Sequence, residues 1–205
     1  MTNFKIYAIS DLHSNQGRFE YAAKIITKEK PDLVIICGDI SHSSKPDKLN
    51  HMISILNFKP IYFVMGNMDG QKINIRISNA YNIHLRYKQF KDYFFYGLGG
   101  PNNILDNIIN FARPTISKID PNRLILVTHV PPKNHCDKVY SGSHIGSKKL
   151  EKLVSEIQPK LVLCGHVHED RGISTLKNTM IVNVGPAGYI ISIDENHQIS
   201  YKMIS

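Results

Sequence analysis

The sequence has little of several features that define whole classes of protein. Its three cysteines, Cys37, Cys136 and Cys164, form neither a pairable framework nor a Cys-x-x-Cys spacing, which argues against a disulfide-stabilised secreted scaffold and a thiolate metal site. No apolar stretch approaches the roughly 20 residues that span a bilayer, and no basic-then-apolar leader opens the sequence. We therefore expect a soluble protein of a reducing, cytoplasmic compartment, with no membrane partner.

The chain also lacks any run of like charge that resembles a binding arm. Its 25 Lys and Arg residues outnumber its 17 Asp and Glu residues, which gives a formal net charge of +8, but the basic residues are scattered. This balance favours a phosphate-bearing substrate and leaves nucleic acid open as a partner. The length of 205 residues fits one domain, 1–205. The oligomeric state is left open, with a homodimer as one option.

What the sequence does contain is five apolar runs, each followed by side chains that can bind a metal. Unbroken apolar runs of this length predict strands that are buried on both faces, as in a parallel sheet. Ligands bind at the carboxyl ends of such strands. We therefore expect the side chains that follow these runs to meet in space, with Asp39 in the middle. They are Asp11 and His13, Asp39, Asn67, His129, and the pair His166 and His168.

The first third of the chain alternates strands and helices. Apolar residues recur at helical spacing between 18 and 30, and a second helix is predicted from Pro46 after a polar loop at 41–45. The resulting β-α-β-α-β order is typical of a largely parallel sheet.

The rest of the chain is less regular. Short strands are predicted at 82–85 and 93–96, a turn at 97–100, and a helix at 101–112. Residues 130–146 read as a long loop, and such loops inside compact domains usually carry function. Ser147 is predicted to cap a helix. Everything after His168 is predicted to be β-structure, with strands at 172–176, 180–184, 189–193 and 198–203.

The seven candidate ligands are oxygen and imidazole donors, which suit Mn, Fe, Zn, Co or Ni. One carboxylate, for which Asp39 is the natural candidate, can bridge two ions through its two oxygens. Two such ions about 3.5–4 Å apart clamp a phosphoryl group and turn a shared water into hydroxide. The alternative is that each residue is only a hydrogen-bonded polar group at a strand end. Five such motifs in one order favour the metal site.

The ordered set resembles the calcineurin-like metallophosphoesterases. The D-x-H, G-D, G-N, single-His and G-H-x-H blocks of that family correspond to Asp11/His13, Gly38/Asp39, Gly66/Asn67, His129 and Gly165/His166/His168. The segments around 129–132, 141–147, 165–169 and 183–186 look most like small prokaryotic phosphoesterases related to cyclic-nucleotide phosphodiesterases. The resemblance implies an α/β four-layer sandwich, in which two mixed sheets are flanked by helices.

The resemblance also implies how the ligands divide between two metal ions. Asp11, His13, Asp39 and His168 would hold one ion, and Asp39, Asn67, His129 and His166 the other. Both ions would be divalent, with Mn²⁺ the first choice and Fe, Zn, Ni or Co as alternatives.

One position departs from the family pattern. Many members carry a histidine directly after the Asn of the G-N block, where it acts on the leaving group, and this chain has Met68 there. We name His42 and His144 as candidate acids, because an imidazole can give a proton near neutral pH. Asn67, Met68 and His144 are the candidate substrate contacts.

The predicted function is hydrolysis of phosphodiesters, such as nucleotide or aryl esters, by attack of a metal-bridging hydroxide. Two alternatives stay open. The segment 38–46 resembles the same block of the Mre11-type nucleases, although those proteins keep the histidine that is Met68 here. Retromer-type relatives use the fold as a non-catalytic scaffold, but such a scaffold would have no reason to keep every ligand.

Overall fold

The structure is a computed structural model that describes residues 3–42, 45–70 and 80–205. Its strands, in chain order, are β1 Phe4–Ile9, β2 Leu33–Cys37, β3 Ile61–Val64, β4 Ala80–Asn82, β5 Tyr87–Phe90, β6 Tyr93–Leu98, β7 Leu124–Thr128, β8 Leu161–Cys164, β9 Gly172–Leu176, β10 Thr179–Asn183, β11 Tyr189–Ile193 and β12 Ile199–Met203. Its helices are α1 Gln16–Glu29, α2 Pro46–Ser54, α3 Asn102–Ile116 and α4 Lys148–Ile157.

The described strands form two six-stranded sheets. The first sheet has the order β12-β11-β1-β2-β3-β4, and the second has the order β5-β6-β7-β8-β10-β9. In each sheet four neighbouring strands are parallel and the remaining pairings are antiparallel. Both sheets are therefore mixed, as the family resemblance implied.

Alternation along the buried strands sorts the core into three layers. In β2, Leu33 and Ile35 belong to the cluster that joins the two sheets, whereas Val34 and Ile36 face α1 and α2. The outer face of the second sheet packs in the same way against α3 and α4. Because successive side chains of a strand point to opposite faces, a continuous apolar run is what a strand covered on both faces requires. The four-layer sandwich is confirmed.

Helix boundaries follow local signals. The Asn15 side chain accepts a hydrogen bond from the Arg18 amide and caps α1, which ends at the left-handed residue Lys30. Pro46 begins α2. Ser147 caps α4 by accepting from the Leu150 amide, as predicted.

The middle of the chain departs from the sequence prediction in several places. The strand expected at 82–85 lies at Ala80–Asn82, and just beyond it His84 pairs with Gly97 of the second sheet while its amide donates to the Asn82 side chain. The turn expected at 97–100 is also wrong, since Gly97 and Leu98 end β6. A side chain at Gly97 would press on the Ile83 carbonyl at 2.5 Å, so this glycine permits close strand approach.

Two further elements were longer or additional. The helix expected at 101–112 extends through Pro114 to Ile116. The strand β5 was not predicted, because its residues lie at a sheet edge and none of them is fully buried. The predicted polar loop at 41–45 includes residues 43 and 44, which lie outside the described residues.

Candidate metal centre

The five predicted strands deliver their polar residues to one edge of the sandwich. Three of the strands, β1, β2 and β3, are neighbours in the first sheet, and the other two, β7 and β8, are neighbours in the second. Backbone hydrogen bonds tie the ends together: the Asp11 amide donates to the Gly38 carbonyl at 3.1 Å, and the Gly165 amide donates to the His129 carbonyl at 2.9 Å.

Asp11, His13 and His168 form one group whose ligand atoms lie within 4.8 Å of one another. His168 Nε2 is 3.3 Å from Asp11 Oδ1 and 3.3 Å from His13 Nε2. Burial disfavours the charged form of Asp11, but His168, His129 and Ser10 outweigh it, so its pKa is lowered. The hydrogen bond to Asp11 in turn raises the pKa of His168.

Asp39 and His129 form a second group with Asp11. The Nδ1 of His129 lies 2.9 Å from the Cys37 carbonyl, which can only accept a hydrogen bond, so that nitrogen carries a proton. Its Nε2 lies 2.8 Å from Asn67 Oδ1 and 3.5 Å from Asp39 Oδ2. Burial opposes a charge on His129, but Asp39 and Asp11 outweigh it and raise the pKa of the imidazole. A cation, either a proton or a metal ion, is therefore favoured among these atoms.

Two carboxylates connect the two groups, and the sequence analysis anticipated this role only for Asp39. Asp39 Oδ2 lies 4.0 Å from His13 Nδ1 and 3.5 Å from His129 Nε2, so Asp39 stands between the two histidines. Its other oxygen accepts the Met68 amide at 2.8 Å. Asp11 also belongs to both groups, whereas the family resemblance assigned it to one ion. A bridge through Asp39 remains a prediction.

His166 joins the site from the second sheet. Its ring packs edge-on against the His129 ring, with 4.9 Å between centroids. Its backbone amide donates to the Asp11 carboxylate at 3.1 Å. Burial and the neighbouring His129 lower the pKa of His166 to about 4, so the ring is a neutral donor at physiological pH.

Several candidate ligands have unusual backbone conformations. Asp11, His13, Asp39 and His166 have φ values of 58°, 53°, 49° and 71°. Residues other than glycine disfavour this left-handed region of φ. They adopt it only where the surrounding structure imposes it. Their concentration at these strand ends indicates a functional site.

The glycines that precede three of the ligands leave room for ligands of neighbouring strands. A Cβ on Gly66 would collide with Asp39 Oδ1, and a Cβ on Gly165 would collide with Ser10 and Asp11 Oδ2. The pattern of Gly before Asp, Asn or His therefore has a packing reason: the donors come together only where the intervening backbone carries no side chain.

Sequence reasoning missed two residues that fix the ligands. Asp69 is fully buried, and its carboxylate accepts the Ser41 amide at 2.6 Å and the Gly66 amide at 2.8 Å. It thereby joins the segment after Asp39 to the segment that carries Asn67. Burial raises its pKa. Ser10 donates its hydroxyl to Asp11 Oδ2. The position of Asp69 two residues after Asn67 was the signal available in the sequence.

The residues proposed to act on the substrate do not all lie beside the candidate ligands. The His42 ring stacks on the His13 ring, with centroids 4.9 Å apart and planes 13° apart, so His42 adjoins the ligands. Met68 and Asn67 are exposed beside them. The His144 Nδ1 lies 2.5 Å from the buried Asp137 carboxylate on its own loop. Within the described ranges, no hydrogen bond, ion pair or ring contact joins His144 to a candidate ligand.

The geometry of the site fits metal ions. His13 Nδ1 is buried without a hydrogen-bond partner, and it points towards Asp39 Oδ2 at 4.0 Å. The ring proton of His129 lies on Nδ1, where it is donated to the Cys37 carbonyl. The other ring nitrogen, Nε2, faces an amide oxygen and a carboxylate oxygen. Such a convergence of lone pairs is what a divalent ion with oxygen and imidazole ligands requires.

No helix among the described residues is long and apolar enough to cross a membrane.

The sequence and the fold of this protein resemble those of known proteins. An uncharacterized protein of Methanocaldococcus jannaschii, MJ1162, is 27% identical over 207 residues, which cover 91% of this chain and 90% of that protein. The structure of TT1561 from Thermus thermophilus superposes with a TM-score of 0.72 at 16% identity over the whole of both chains. The structure of an archaeal phosphodiesterase superposes with a TM-score of 0.54 at 18% identity, covering 98% of this chain and 99% of that one. At these identities the two structures share the fold with this protein.

The family model for calcineurin-like phosphoesterases matches residues 4–170, a span that contains all five strand-end motifs. The match covers most of the chain and implies hydrolysis of phosphate esters. The protein therefore belongs to the calcineurin-like phosphoesterase family, as the ordered motifs predicted.

Proposed function

We propose that this protein is a phosphodiesterase that uses two divalent metal ions, with Mn²⁺ as the first choice, and acts on nucleotide or aryl esters. The observation that carries the proposal is the convergence of buried lone pairs from Asp11, Asp39 and His129 beside the group formed by Asp11, His13 and His168. The archaeal phosphodiesterase of the same fold supports the choice of diesters.

The proposed ligand sets combine the sequence motifs with these contacts. His13 and His168 would serve one ion, and Asn67, His129 and His166 the other, with Asp11 and Asp39 between them. When bound, the two ions would neutralise phosphoryl oxygens and lower the pKa of a water molecule, so that hydroxide is available to attack phosphorus.

The chain's own residues would orient the site. Cys37 holds the His129 ring by its Nδ1 proton, which leaves Nε2 free to bind. The Met68 amide fixes Asp39 by one oxygen and leaves the other towards the histidines. The neutral amide of Asn67 adds an oxygen ligand without adding negative charge near an anionic substrate.

Two histidines remain candidates for the proton that the leaving group requires. His42 adjoins His13, whereas His144 is oriented by Asp137. Because Met68 replaces the histidine of many relatives, we expect esters with acidic alcohols, such as aryl esters, to react best. Cytoplasmic location stays part of the proposal, and the three buried free thiols agree with a reducing compartment.

The test measures hydrolysis of bis(4-nitrophenyl) phosphate and 4-nitrophenyl phosphate with Mn²⁺, for the parent protein and Asp39→Asn. The exposed Asp47→Asn is the matched control. We expect the diester to react faster, Asp39→Asn to lose turnover by more than about 100-fold, which is the upper effect of an outer-shell change, and Asp47→Asn to behave as the parent.

Faster turnover of 4-nitrophenyl phosphate than of bis(4-nitrophenyl) phosphate would overturn the diester assignment. Absence of turnover with any divalent ion, despite metal binding, would favour the scaffold alternative. Binding of duplex DNA that weakens steeply with salt, together with its cleavage, would favour the nuclease.

A further inference from the structure

A groove of about 280 Å³ lies beside the candidate metal centre, between the first turns of α1 and the turn that leads into β11. Its walls are formed by Asn15, Gly17, Arg18, Tyr21, Pro186 and Ala187. Ligand pockets usually span about 300–1,000 Å³, so the groove suits one ring system rather than a large molecule.

Arg18 joins the groove to the metal centre. Its Nη1 donates to the backbone carbonyl of the candidate ligand Asp11 at 2.6 Å, and its positive charge acts on His168. In the part of the chain that the structure describes, this is the one side-chain hydrogen bond of the guanidinium, which carries five N–H donors in total. A cation at this place complements an anionic phosphoester held by the ligands.

The apolar lining of the groove is held in place. The Tyr21 ring is 38% exposed, and its hydroxyl donates to the Ser205 carbonyl at 2.7 Å, which fixes the ring. The Ala187 carbonyl accepts the Tyr7 hydroxyl at 2.9 Å, so the turn carrying Pro186 and Ala187 is anchored as well. Such a groove is formed before any ligand arrives.

Aromatic rings and guanidinium planes both favour stacking with a planar partner. A groove lined by Tyr21 and by Arg18, which is hydrogen-bonded to the candidate ligand Asp11, therefore suits a planar ring attached to a phosphoryl group. A flexible alkyl group would gain less contact with these flat surfaces.

We propose that this groove binds the planar ring of one ester group of the substrate, an aryl group or a nucleobase, while the phosphoryl group lies at the metal ligands. The inference rests on the proposed function for the place of the phosphoryl group. It adds a specificity site, formed by Arg18, Tyr21 and the 186–187 turn, to the chemistry at the strand ends.

The experiment compares two phosphonates that share one head group. Phenylphosphonate and methylphosphonate are titrated calorimetrically into the Mn²⁺-loaded full chain. We expect phenylphosphonate to bind about tenfold more tightly, near the lower part of the range for stacking a ring on an aromatic side chain.

Variants of opposite volume test the groove itself. Tyr21→Ala removes the apolar wall, and Gly17→Leu fills the space, since a Cβ at Gly17 meets only the Asn15 side chain, at 3.3 Å. Both should reduce the preference for the phenyl compound to within about threefold and leave methylphosphonate binding unchanged. Tyr21→Phe keeps the ring and should keep the preference, and Tyr87→Ala, an exposed tyrosine on β5, is the matched control.

Three results would overturn the proposal that the groove binds the ring. They are equal affinity for the two phosphonates, binding of neither, and a preference that survives both Tyr21→Ala and Gly17→Leu. These readouts need no turnover. Ring preference without hydrolysis would therefore refute the proposed function and leave the groove standing. Hydrolysis that depends on Asp39 but shows no ring preference would refute the groove alone.

Discussion

The two sheets supply different chemistry to one site. The first sheet contributes both carboxylates, Asp11 and Asp39, together with His13 and Asn67, whereas the second contributes imidazoles alone, His129, His166 and His168. Buried carboxylates near one another repel, and neutral imidazoles bind hard cations weakly without an anion. The site therefore depends on the packing of the two sheets through their shared apolar layer.

Because of this difference, we expect the first sheet to contribute more than the second to the affinity for metal. Negative charge comes only from the first sheet among the candidate ligands, so its loss should affect both ions. The second sheet supplies individual donors, so the loss of one should affect chiefly the ion beside it.

The largest effect is expected for Asp11→Asn, because Asp11 belongs to both ligand groups. The variant should bind neither ion at a concentration that saturates the parent, and turnover should fall by more than about 100-fold. Metal content after gel filtration measures the first effect. Retention of two ions per chain would show that Asp11 is not shared.

His168→Asn should have a smaller, one-sided effect, because His168 belongs to one group only. We expect one ion per chain to remain. Calorimetric titration with Mn²⁺ should then show a single binding step where the parent shows two. The matched control is His51→Asn, an exposed histidine of α2. Loss of both ions in His168→Asn would contradict the independence of the second sheet's donors.

Asp69→Asn tests a positioning residue of the first sheet, because the Asp69 carboxylate accepts the Ser41 and Gly66 backbone amides and not a candidate ligand side chain. One amide group would replace an oxygen that accepts a buried backbone N–H, at a cost of about 1–3 kcal/mol in the free energy of unfolding. Metal affinity should fall by about 10-fold or more, since the Asp39 and Asn67 segments lose their common anchor. Denaturant unfolding and Mn²⁺ titration measure the two effects. An unchanged Mn²⁺ affinity in a destabilised variant would show that Asp69 contributes to folding stability and not to metal binding.

The smallest effects are expected for the helix caps, one on each side of the sandwich. Asn15→Ala in α1 and Ser147→Ala in α4 should each lower the free energy of unfolding by about 1 kcal/mol, measured by urea unfolding. Asn15 also lines the proposed groove, so this variant alone should alter the preference for phenylphosphonate. A change of preference in Ser147→Ala would argue against a groove confined to α1 and the 186–187 turn.

Much of the fold could be predicted because strong local patterns coincide with it. The strands at Gly172–Leu176 and Tyr189–Ile193 were predicted to the residue, and the Ser147 cap was predicted from one side chain. Apart from the C-terminal extension of α3, the errors fell at 80–98, where the chain forms an exposed edge strand and a close crossing at Gly97. Neither feature produces an apolar period, so the sequence pattern is silent about both.

The candidate donors could be predicted from the sequence alone, because each follows an apolar run whose burial fixes where the strand must end. How these donors share their partners depends on the packing of segments far apart along the chain. Asp11 reaches both groups, Asp39 presents a single oxygen to two histidines, and the buried Asp69 fixes two loops. The groove beside Arg18 likewise arises from segments about 170 residues apart along the chain, and no local pattern specifies their contact, since it follows from the packing of α1 and the β10–β11 turn against one sheet.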